Sequence, residues 1–197
     1  VLEMEQTKYT LGRSEFRTLE EGLEKEWLLT NGIGGLANRT IVGGGNRMHG
    51  CYLTASLNPP ADRWLVLANV WERVEIEDKE YDMAAQTYMG YKKEGQKYLN
   101  RFELDILPRY DYQVRDFTMK KTISMEYGKN TVVICYEIEN GMDETKLSIT
   151  PLFDCRPYGI TSEVAELSFK QKVEEQVLTL YPENQEMEIS FYASEGE

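Results

Sequence analysis

The sequence predicts an all-β protein, a sandwich or a barrel of short antiparallel strands, on three observations. Apolar and polar residues alternate along most of the chain, which is the period of a strand with one buried face. Strand-like segments recur at short intervals with turn residues between them, as in sandwiches and barrels. Segments with the period of an amphipathic helix are scarce. The length of 197 residues suits one or two domains, and we expect a single domain spanning residues 1–197.

The most distinctive segment is residues 26–55, EWLLTNGIGGLANRTIVGGGNRMHGCYLTA. It predicts strands at residues 26–30 and 36–42, and another strand developing over residues 48–57. Asn31-Gly32 predicts a tight two-residue hairpin turn, because both residue types tolerate positive φ. The triple glycine at residues 43–45 predicts a turn or a bulge. Ordering so many glycines costs backbone entropy, so we expect this backbone to lie close to a neighbour or a ligand.

The other elements follow from alternation and turn chemistry. Before the glycine-rich segment we expect a strand at residues 8–11, and at residues 16–23 an irregular stretch or a brief strand. After it, the prolines predict a rigid loop at residues 58–62. Residues 64–76 predict one long strand or two with a bulge, residues 72–80 an acidic turn, residues 81–86 an extended segment, and residues 88–98 an exposed loop. Further strands are expected at residues 98–107, 117–127, 131–139, 146–153, 167–173, 177–181 and 186–192.

Composition and charge exclude several classes of function. The formal net charge is −12, and the 22 Lys and Arg are scattered among 34 acids, which argues against nucleic acid and anionic membranes as partners. No signal peptide and no apolar run long enough to span a bilayer is found, so we expect a cytoplasmic protein. The three cysteines form no metal-binding pair and are expected to be buried free thiols. We expect no metal and no cofactor.

The residues do not assemble a catalytic site. A serine hydrolase needs a base and a nucleophile elbow, but the chain has one histidine and no GxSxG. The triple glycine lacks the Lys-Ser/Thr that completes a phosphate-binding loop. A glycosidase needs two carboxylates, yet none of the 34 acids is singled out by spacing, and most fit a solvated sheet face.

Arg47 and His49 are the best candidates for ligand contact. They are two residues apart, so on a strand both would project from one face and could donate hydrogen bonds to hydroxyls or to a carboxylate. The alternative is structural: His49 would cap a loop and Arg47 would pair with one of the many acids. The tyrosines and tryptophans could stack on sugar faces, or simply belong to the core.

The same segment resembles a known family. The run EWLLTNGIGG at residues 26–35, then RMHG at residues 47–50 and the Asn-Pro-Pro loop, closely resembles the N-terminal domain of bacterial and archaeal glycogen debranching enzymes. Their pattern is approximately EWLxTNGxGGxASGT followed by TRRYHGLL. Weaker similarity continues at residues 131–136 and 148–156. Asn46 and Met48 depart from the family's arginine and tyrosine, and residues 37–40 read ANRT where the family has ASGT.

The resemblance implies a fold and a role. It implies an antiparallel β-supersandwich, followed in the whole protein by an (α/α)6 barrel with amylo-α-1,6-glucosidase activity. This chain would then carry no catalytic residue. It would help to bind α-glucan (glycogen or maltooligosaccharide) through Asn31, Gly32, Arg47 and His49, and would pack on the catalytic domain.

Several alternatives stay open. The chain begins at Val1 and ends soon after a strand pattern, so we expect it to be a piece of a longer protein. A free-standing carbohydrate-binding module would bind glucan without a partner. A purely structural interface module would use the glycine turns only for packing. A mutarotase-like enzyme would need an acid and more than one histidine, which makes it the weakest alternative.

Overall fold

A computed structural model describes residues 8–45, 47–88, 90–160 and 167–196, and in these ranges the chain is almost entirely strands joined by short turns. The all-β prediction is therefore confirmed. One helix, α1 (Leu19–Leu23), and two 3-10 turns, Arg13–Glu15 and Gly95–Tyr98, are the helical elements of the described part. None of these helices has the length and apolar character that crossing a bilayer requires.

The strands in chain order are β1 (Tyr9–Gly12), β2 (Glu26–Thr30), β3 (Leu36–Thr40), β4 (Cys51–Asn58), β5 (Ala61–Ile76), β6 (Lys79–Asp82), β7 (Ala85–Tyr88), β8 (Tyr91–Glu94), β9 (Leu99–Leu104), β10 (Pro108–Val114), β11 (Phe117–Met125), β12 (Val132–Glu139), β13 (Thr145–Pro157), β14 (Phe169–Glu174), β15 (Val177–Pro182) and β16 (Ile189–Tyr192).

Two antiparallel sheets share the main core. One has the order β1-β9-β10-β11-β12, and the other has the order β13-β5-β4-β3-β2 with β6 paired to the end of β5. Residues such as Trp27 and Val74 of the second sheet belong to the same buried cluster as Phe102, Phe117 and Ile123 of the first. Strands β10 and β11 alternate between buried and less buried positions, as expected where one face of a sheet covers a core.

A smaller sheet, β14-β15-β16, covers a second core. Leu180 and Ile189 of this sheet pack with Ala55, Val66 and Cys155 of the six-stranded sheet. Strand β4 and the middle of β5 are consequently buried at consecutive positions rather than alternate ones. Consecutive burial is what a strand shows when both of its faces are covered.

The prediction for residues 16–23 was wrong, because they contain a short helix. Thr18 caps α1: its Oγ1 accepts from the backbone N of Glu21 at 3.2 Å, and Oε2 of Glu21 accepts from the backbone N of Thr18 at 3.3 Å. This reciprocal pair is a capping box, and its Thr-x-x-Glu spacing was present in the sequence. Leu19 and Leu23 anchor the helix in the main core.

Three turn predictions also need correction. Residues 72–80 were expected to form an acidic turn, but β5 continues to Ile76, and the turn is confined to Glu77 and Asp78, both at positive φ. Residues 58–62 were expected to form a rigid loop, but only Pro59-Pro60 lies between β4 and β5. Residues 88–98 were expected to form an exposed loop; the described part instead contains the β7–β8 hairpin and a 3-10 turn whose Gly95 and Gln96 are buried.

Candidate functional site

Three glycines of the glycine-rich segment, Gly43, Gly45 and Gly50, lie against the guanidinium of Arg39. Arg39 lies on β3 and is only 3% exposed. Its Nε donates to the carbonyl of Gly43 at 3.1 Å, and its Nη1 donates to the carbonyl of Gly50 at 3.2 Å. A Cβ on Gly45 would come within 2.7 Å of Nη1. The expectation that this backbone needs a close neighbour is therefore met by an arginine side chain.

A second arginine fixes the turn that carries the candidate residues. Arg156 of β13 donates to the carbonyls of Met48 and Ile160, and its Nε lies 2.8 Å from Oδ2 of Asp154. The backbone N of Gly50 closes the turn on the carbonyl of Arg47 at 3.0 Å. Residues 47–50 are thus a turn and not part of a strand, since β4 begins at Cys51. The prediction that a strand develops from residue 48 was wrong by three residues.

Arg47 and His49 occupy different surroundings. The Arg47 side chain is 69% exposed, and its Nε lies 3.6 Å from Oε2 of Glu26. The His49 ring stacks on Tyr158, with 4.6 Å between the ring centroids, and the guanidinium of Arg63 also lies over that tyrosine ring at 4.7 Å. The Nδ1 atom of His49 is buried without a hydrogen-bond partner in the described part of the chain. The prediction that Arg47 and His49 project from one face of a strand is wrong, because residues 47–50 form a turn and the two side chains have different surroundings.

An open cleft of about 960 Å³ lies beside this turn. Arg47, Met48 and Gly50 line it, whereas His49 does not. The cleft is lined by charged and neutral hydrogen-bond donors and by two carboxylates. Its other lining residues are Glu20, Leu23, Glu24, Arg39, Gly45, Leu65, Ala68, Asn69, Gln86, Thr87, Tyr88, Lys92, Leu152 and Arg156. Asn46, which stands where the resembled family has an arginine, lies outside the described residues.

The β7–β8 hairpin forms another wall of the cleft. Gln86 joins it to the glycine segment by two hydrogen bonds: Oε1 accepts from the backbone N of Gly45 at 2.7 Å, and Nε2 donates to the carbonyl of Gly45 at 2.8 Å. At the hairpin end the rings of Tyr88 and Tyr91 stack with 5.5 Å between centroids and 11° between planes. Burial is the main cause that raises the pKa of Tyr88, so its hydroxyl is a neutral donor at pH 7.

Asn31 lies away from the cleft and supports a loop. It is fully buried; its Oδ1 accepts from the backbone N of Ile33 and of Gly35, and its Nδ2 donates to the carbonyl of Lys129 and to Oδ1 of Asn130. The loop has five residues, 31–35, and not two, because pairing resumes only at Leu36. The predicted two-residue turn was wrong because the Asn31 side chain organises a wider loop. Its contact with substrate stays a prediction.

Gly32 also lies outside the cleft lining. Its φ is +80°, and a Cβ would come within 2.4 Å of the ring of Tyr127, which packs over it. Glycine is needed here for both its backbone conformation and the close ring. Contact between Gly32 and substrate likewise stays a prediction.

A buried ionic cluster lies between the two large sheets, and it was not among the candidates predicted from the sequence. Nζ of Lys121 lies 2.6 Å from Oε1 of Glu72 and donates to the hydroxyl of Tyr52 at 2.7 Å. Tyr136 donates to the same Glu72 oxygen at 2.6 Å. Burial alone lowers the pKa of Lys121, but the Glu72 carboxylate and the Tyr52 hydroxyl outweigh it and hold that pKa above its ordinary value. The Tyr52 ring also lies 5.2 Å from Cζ of Arg39, which connects the cluster to the cleft.

The described residues contain no group of three or more His, Cys, Asp or Glu side chains placed to hold a metal ion. All three cysteines are free thiols. Cys51 and Cys155 are buried as expected, whereas Cys135 is exposed, because it lies on the outer face of the edge strand β12. Burial raises the pKa of Cys155 to about 12, and it also raises the pKa of Cys51, so both thiols are protonated at pH 7.

Comparison with known proteins decides the family. The model of the family described as "Glycogen debranching enzyme N terminal" matches residues 25–197, from just before β2 to the end of the chain. The chain belongs to this family. It is thus an N-terminal domain of the glycogen debranching enzyme family, as the resemblance in residues 26–50 indicated. Neither the curated proteins nor the solved structures give a match to this debranching-enzyme domain.

Proposed function

We propose that this domain contributes to α-glucan binding in a glycogen debranching-type glycoside hydrolase and packs on the catalytic domain of that enzyme. The observation that carries the proposal is the cleft beside residues 47–50, since it belongs to the segment that links this chain to its family. Its volume of about 960 Å³ is ample for several glucose units.

The cleft offers the contacts that a neutral sugar needs. Arg47 is exposed beside it, and Gln86, Thr87 and Asn69 add neutral polar groups. Hydroxyl groups of a glucan accept from such donors, and each neutral hydrogen bond contributes about 1 kcal/mol net. The Tyr88–Tyr91 stack lies at the edge, and Tyr88 lines the cleft, so a sugar ring has an aromatic face to pack on. His49 acts in this proposal by supporting the turn through Tyr158.

The cleft also suits a site completed by a neighbour. The cleft is open, and Met48, which lines it, is 43% exposed and so presents hydrophobic surface to solvent. A catalytic domain packed there would cover Met48 and close the cleft around the glucan. Amylo-α-1,6-glucosidase activity would belong to that domain. The unpaired thiols favour a reducing compartment, so we place this role in the cytoplasm.

Affinity electrophoresis in glycogen-containing gels tests the glucan half of the proposal. Wild-type chain is expected to migrate more slowly with glycogen, and Arg47→Ala and Tyr88→Ala to weaken the interaction about fivefold each. Arg73→Ala is the matched control: Arg73 is also exposed and paired with a carboxylate, Glu80, but does not line the cleft. If neither cleft substitution changes the retardation by glycogen, the cleft is not the glucan-binding site.

The catalytic half needs the enzyme with its catalytic domain. Release of glucose from a branched limit dextrin is expected, with a higher KM and a nearly unchanged kcat in Arg47→Ala. A free-standing carbohydrate-binding module would instead retain its full affinity in the absence of that domain. A purely structural interface module would show no glycogen retardation and no change in KM.

A further inference from the structure

Three cationic side chains are buried in the described part of the chain: Arg39 at 3% exposure, Lys121 at 1% and Arg156 at 9%. Lys121 is neutralised by Glu72 at 2.6 Å, and Arg156 is neutralised by Asp154 at 2.8 Å. Arg39 has no carboxylate within ion-pairing distance among the described residues; its contacts are two backbone carbonyls and the ring of Tyr52. A buried guanidinium without a counter-charge is costly, so its positive charge is available for a ligand.

The guanidinium of Arg39 also has an unused donor. Nε and Nη1 bond to Gly43 and Gly50, but Nη2 is buried and has no hydrogen-bond partner in the described ranges. A buried charged donor left unsatisfied costs more than a hydrogen bond normally contributes. Binding an acceptor at Nη2 would therefore remove an existing penalty as well as add an interaction.

The side chain that carries this donor lines the cleft. Arg39 lines it, and so do Gly45 and Gly50, which are the residues next to Nη1. The guanidinium end of the side chain is therefore the part that lies next to these two lining residues, and we call this part of the lining the cleft floor. Gly45 has no side chain to fill the space beside the guanidinium, and any Cβ there would press on Nη1.

Among the described residues, Arg39 is the cation of the cleft lining that has no ion pair. Besides Arg39, the cleft is lined by Arg47, Arg156 and Lys92, and by the carboxylates Glu20 and Glu24. Glu20 forms an ion pair with Lys92, and Arg156 is paired with Asp154, so these charges largely cancel. Arg47 is held by Glu26 only loosely, at 3.6 Å. Each of these three cations thus has a carboxylate partner, whereas Arg39 has none within ion-pairing distance in the described ranges, and Glu24 is a further carboxylate of the lining.

We propose that Arg39 anchors an oxyanion subsite on the cleft floor, which takes a phosphate group, free or carried on a hexose. A guanidinium donates to phosphate oxygens through charge-assisted hydrogen bonds. A doubly charged phosphate gains more than a carboxylate from a guanidinium that has no ion pair, and its several acceptor oxygens can also use neutral donors such as Asn69 and Thr87. The subsite does not depend on glucan binding, which needs no charge on the ligand.

Titration of the 197-residue chain with inorganic phosphate, at ionic strength held constant with sodium chloride, tests the subsite. Calorimetry is expected to show saturable binding that weakens about tenfold or more in Arg39→Met, because a charge-assisted hydrogen bond is lost. Arg73→Met is the matched control and is expected to bind like the wild type, since Arg73 does not line the cleft. Absence of saturable binding by the wild type, or equal binding by a folded Arg39→Met, would overturn the proposal.

Arg39 is buried, so Arg39→Met can fail to fold. A second measurement, NMR of the wild-type chain, therefore uses no substitution. Backbone amide resonances of residues 43–45, 47–50 and 86–88 are expected to shift with phosphate and to saturate. Shifts confined to other parts of the chain would refute the subsite. A hexose phosphate that binds more tightly than inorganic phosphate supports a sugar-borne group, and equal binding supports free phosphate. If neutral glucose shifts the same residues as strongly as phosphate, the cleft floor recognises hydroxyls and the oxyanion proposal is wrong. Absence of glycogen retardation would contradict the proposed glucan binding but not the phosphate subsite.

Discussion

Nζ of Lys121 lies 2.6 Å from Oε1 of Glu72, and their side chains are 2% and 3% exposed, so the two sheets meet across a buried ion pair. Lys121 comes from β11 of the five-stranded sheet and Glu72 from β5 of the six-stranded sheet. Lys121 also donates to the hydroxyl of Tyr52, and the hydroxyl of Tyr136 donates to Glu72. We expect this cluster to hold the two sheets in one arrangement, because sliding one sheet over the other would leave each buried charge without its partner.

Removing one member of this pair is expected to destabilise the domain strongly. Lys121→Met leaves the Glu72 carboxylate buried without its counter-charge, at a cost of about 3 to 5 kcal/mol in the free energy of unfolding. The double variant Lys121→Met/Glu72→Gln is expected to recover much of that loss, since no buried charge remains. Urea unfolding of the two single variants and the double variant measures the coupling. Additive losses would mean that the pair does not act as a unit.

Asn31→Ala is expected to loosen the loop at residues 31–35. The side chain makes four hydrogen bonds within the protein, and its loss leaves the buried backbone N of Gly35 without an acceptor. We expect the free energy of unfolding to fall by about 2 to 3 kcal/mol. Asn140→Ala, at an exposed turn with one long hydrogen bond, is the control and is expected to change stability by less than about 0.5 kcal/mol. Equal effects would contradict the structural role of Asn31.

Thr18→Ala is expected to weaken the cap of α1. The substitution removes the oxygen that accepts from the backbone N of Glu21, which corresponds to about 1 kcal/mol. Thr18→Ser keeps that oxygen and is expected to lose only a few tenths of a kcal/mol. Chemical denaturation of the two variants measures the difference. Equal losses would show that the methyl group, and not the capping oxygen, supports the helix.

Gly44→Ala is expected to be among the most destabilising glycine substitutions. A Cβ at Gly44 would lie 1.9 Å from the carbonyl oxygen of Ala85, so the glycine segment and β7 would have to separate. We expect a loss of about 3 kcal/mol in the free energy of unfolding. Gly12→Ala is the control, because nothing lies within 4 Å of its Cβ and its φ is ordinary. A loss at Gly44 no greater than that at Gly12 would show that β7 moves freely.

Asp105 is expected to titrate in the acid range below its ordinary value. A hydrogen bond from Arg109 is the main cause that lowers its pKa from 3.8 to about 2. Since the folded pKa is below the unfolded one, the carboxylate stabilises the fold above pH 3.8, and this contribution disappears as the pH falls through 2. Carbon-detected NMR titration measures the pKa directly. Arg109→Gln is expected to move it back toward 3.8, and a wild-type pKa near 4 would contradict the ion pair.

Much of the fold was predictable because its determinants are local. The alternation in residues 117–127 and 131–139 and the glycine turn between them predicted the β11–β12 hairpin, and the structure confirms it. The same alternation contained a signal that was not used. In β11, Lys121 falls on the buried face with Met119 and Ile123, and in β5 Glu72 falls between Val70 and Val74. A charged residue on the buried face of each of two strands predicts a buried pair.

The candidate site was only partly predictable. The glycine-rich segment marked the right region, and Arg47 is exposed beside the cleft. The expectation that His49 projects beside Arg47 rested on strand geometry, which residues 47–50 do not adopt, and Arg39 stood out in the sequence only within the segment ANRT that departs from the family pattern. The sequence could not rank Arg39 above the other arginines. What sets Arg39 apart is that no carboxylate of the described residues lies close enough to pair with it, and this is visible only in three dimensions.

The sequence by itself determined the family, the all-β class and most strand positions, because side-chain alternation and turn residues act over a few neighbouring positions. Only the tertiary structure decided which charges are paired. Lys121 and Glu72 are 49 positions apart, and Arg39 reaches the cleft through contacts at Gly43 and Gly50. Packing between residues distant in sequence determines how deeply each charge is buried and which opposite charges lie near it. These two properties determine which charged side chains of a cleft are available to a ligand.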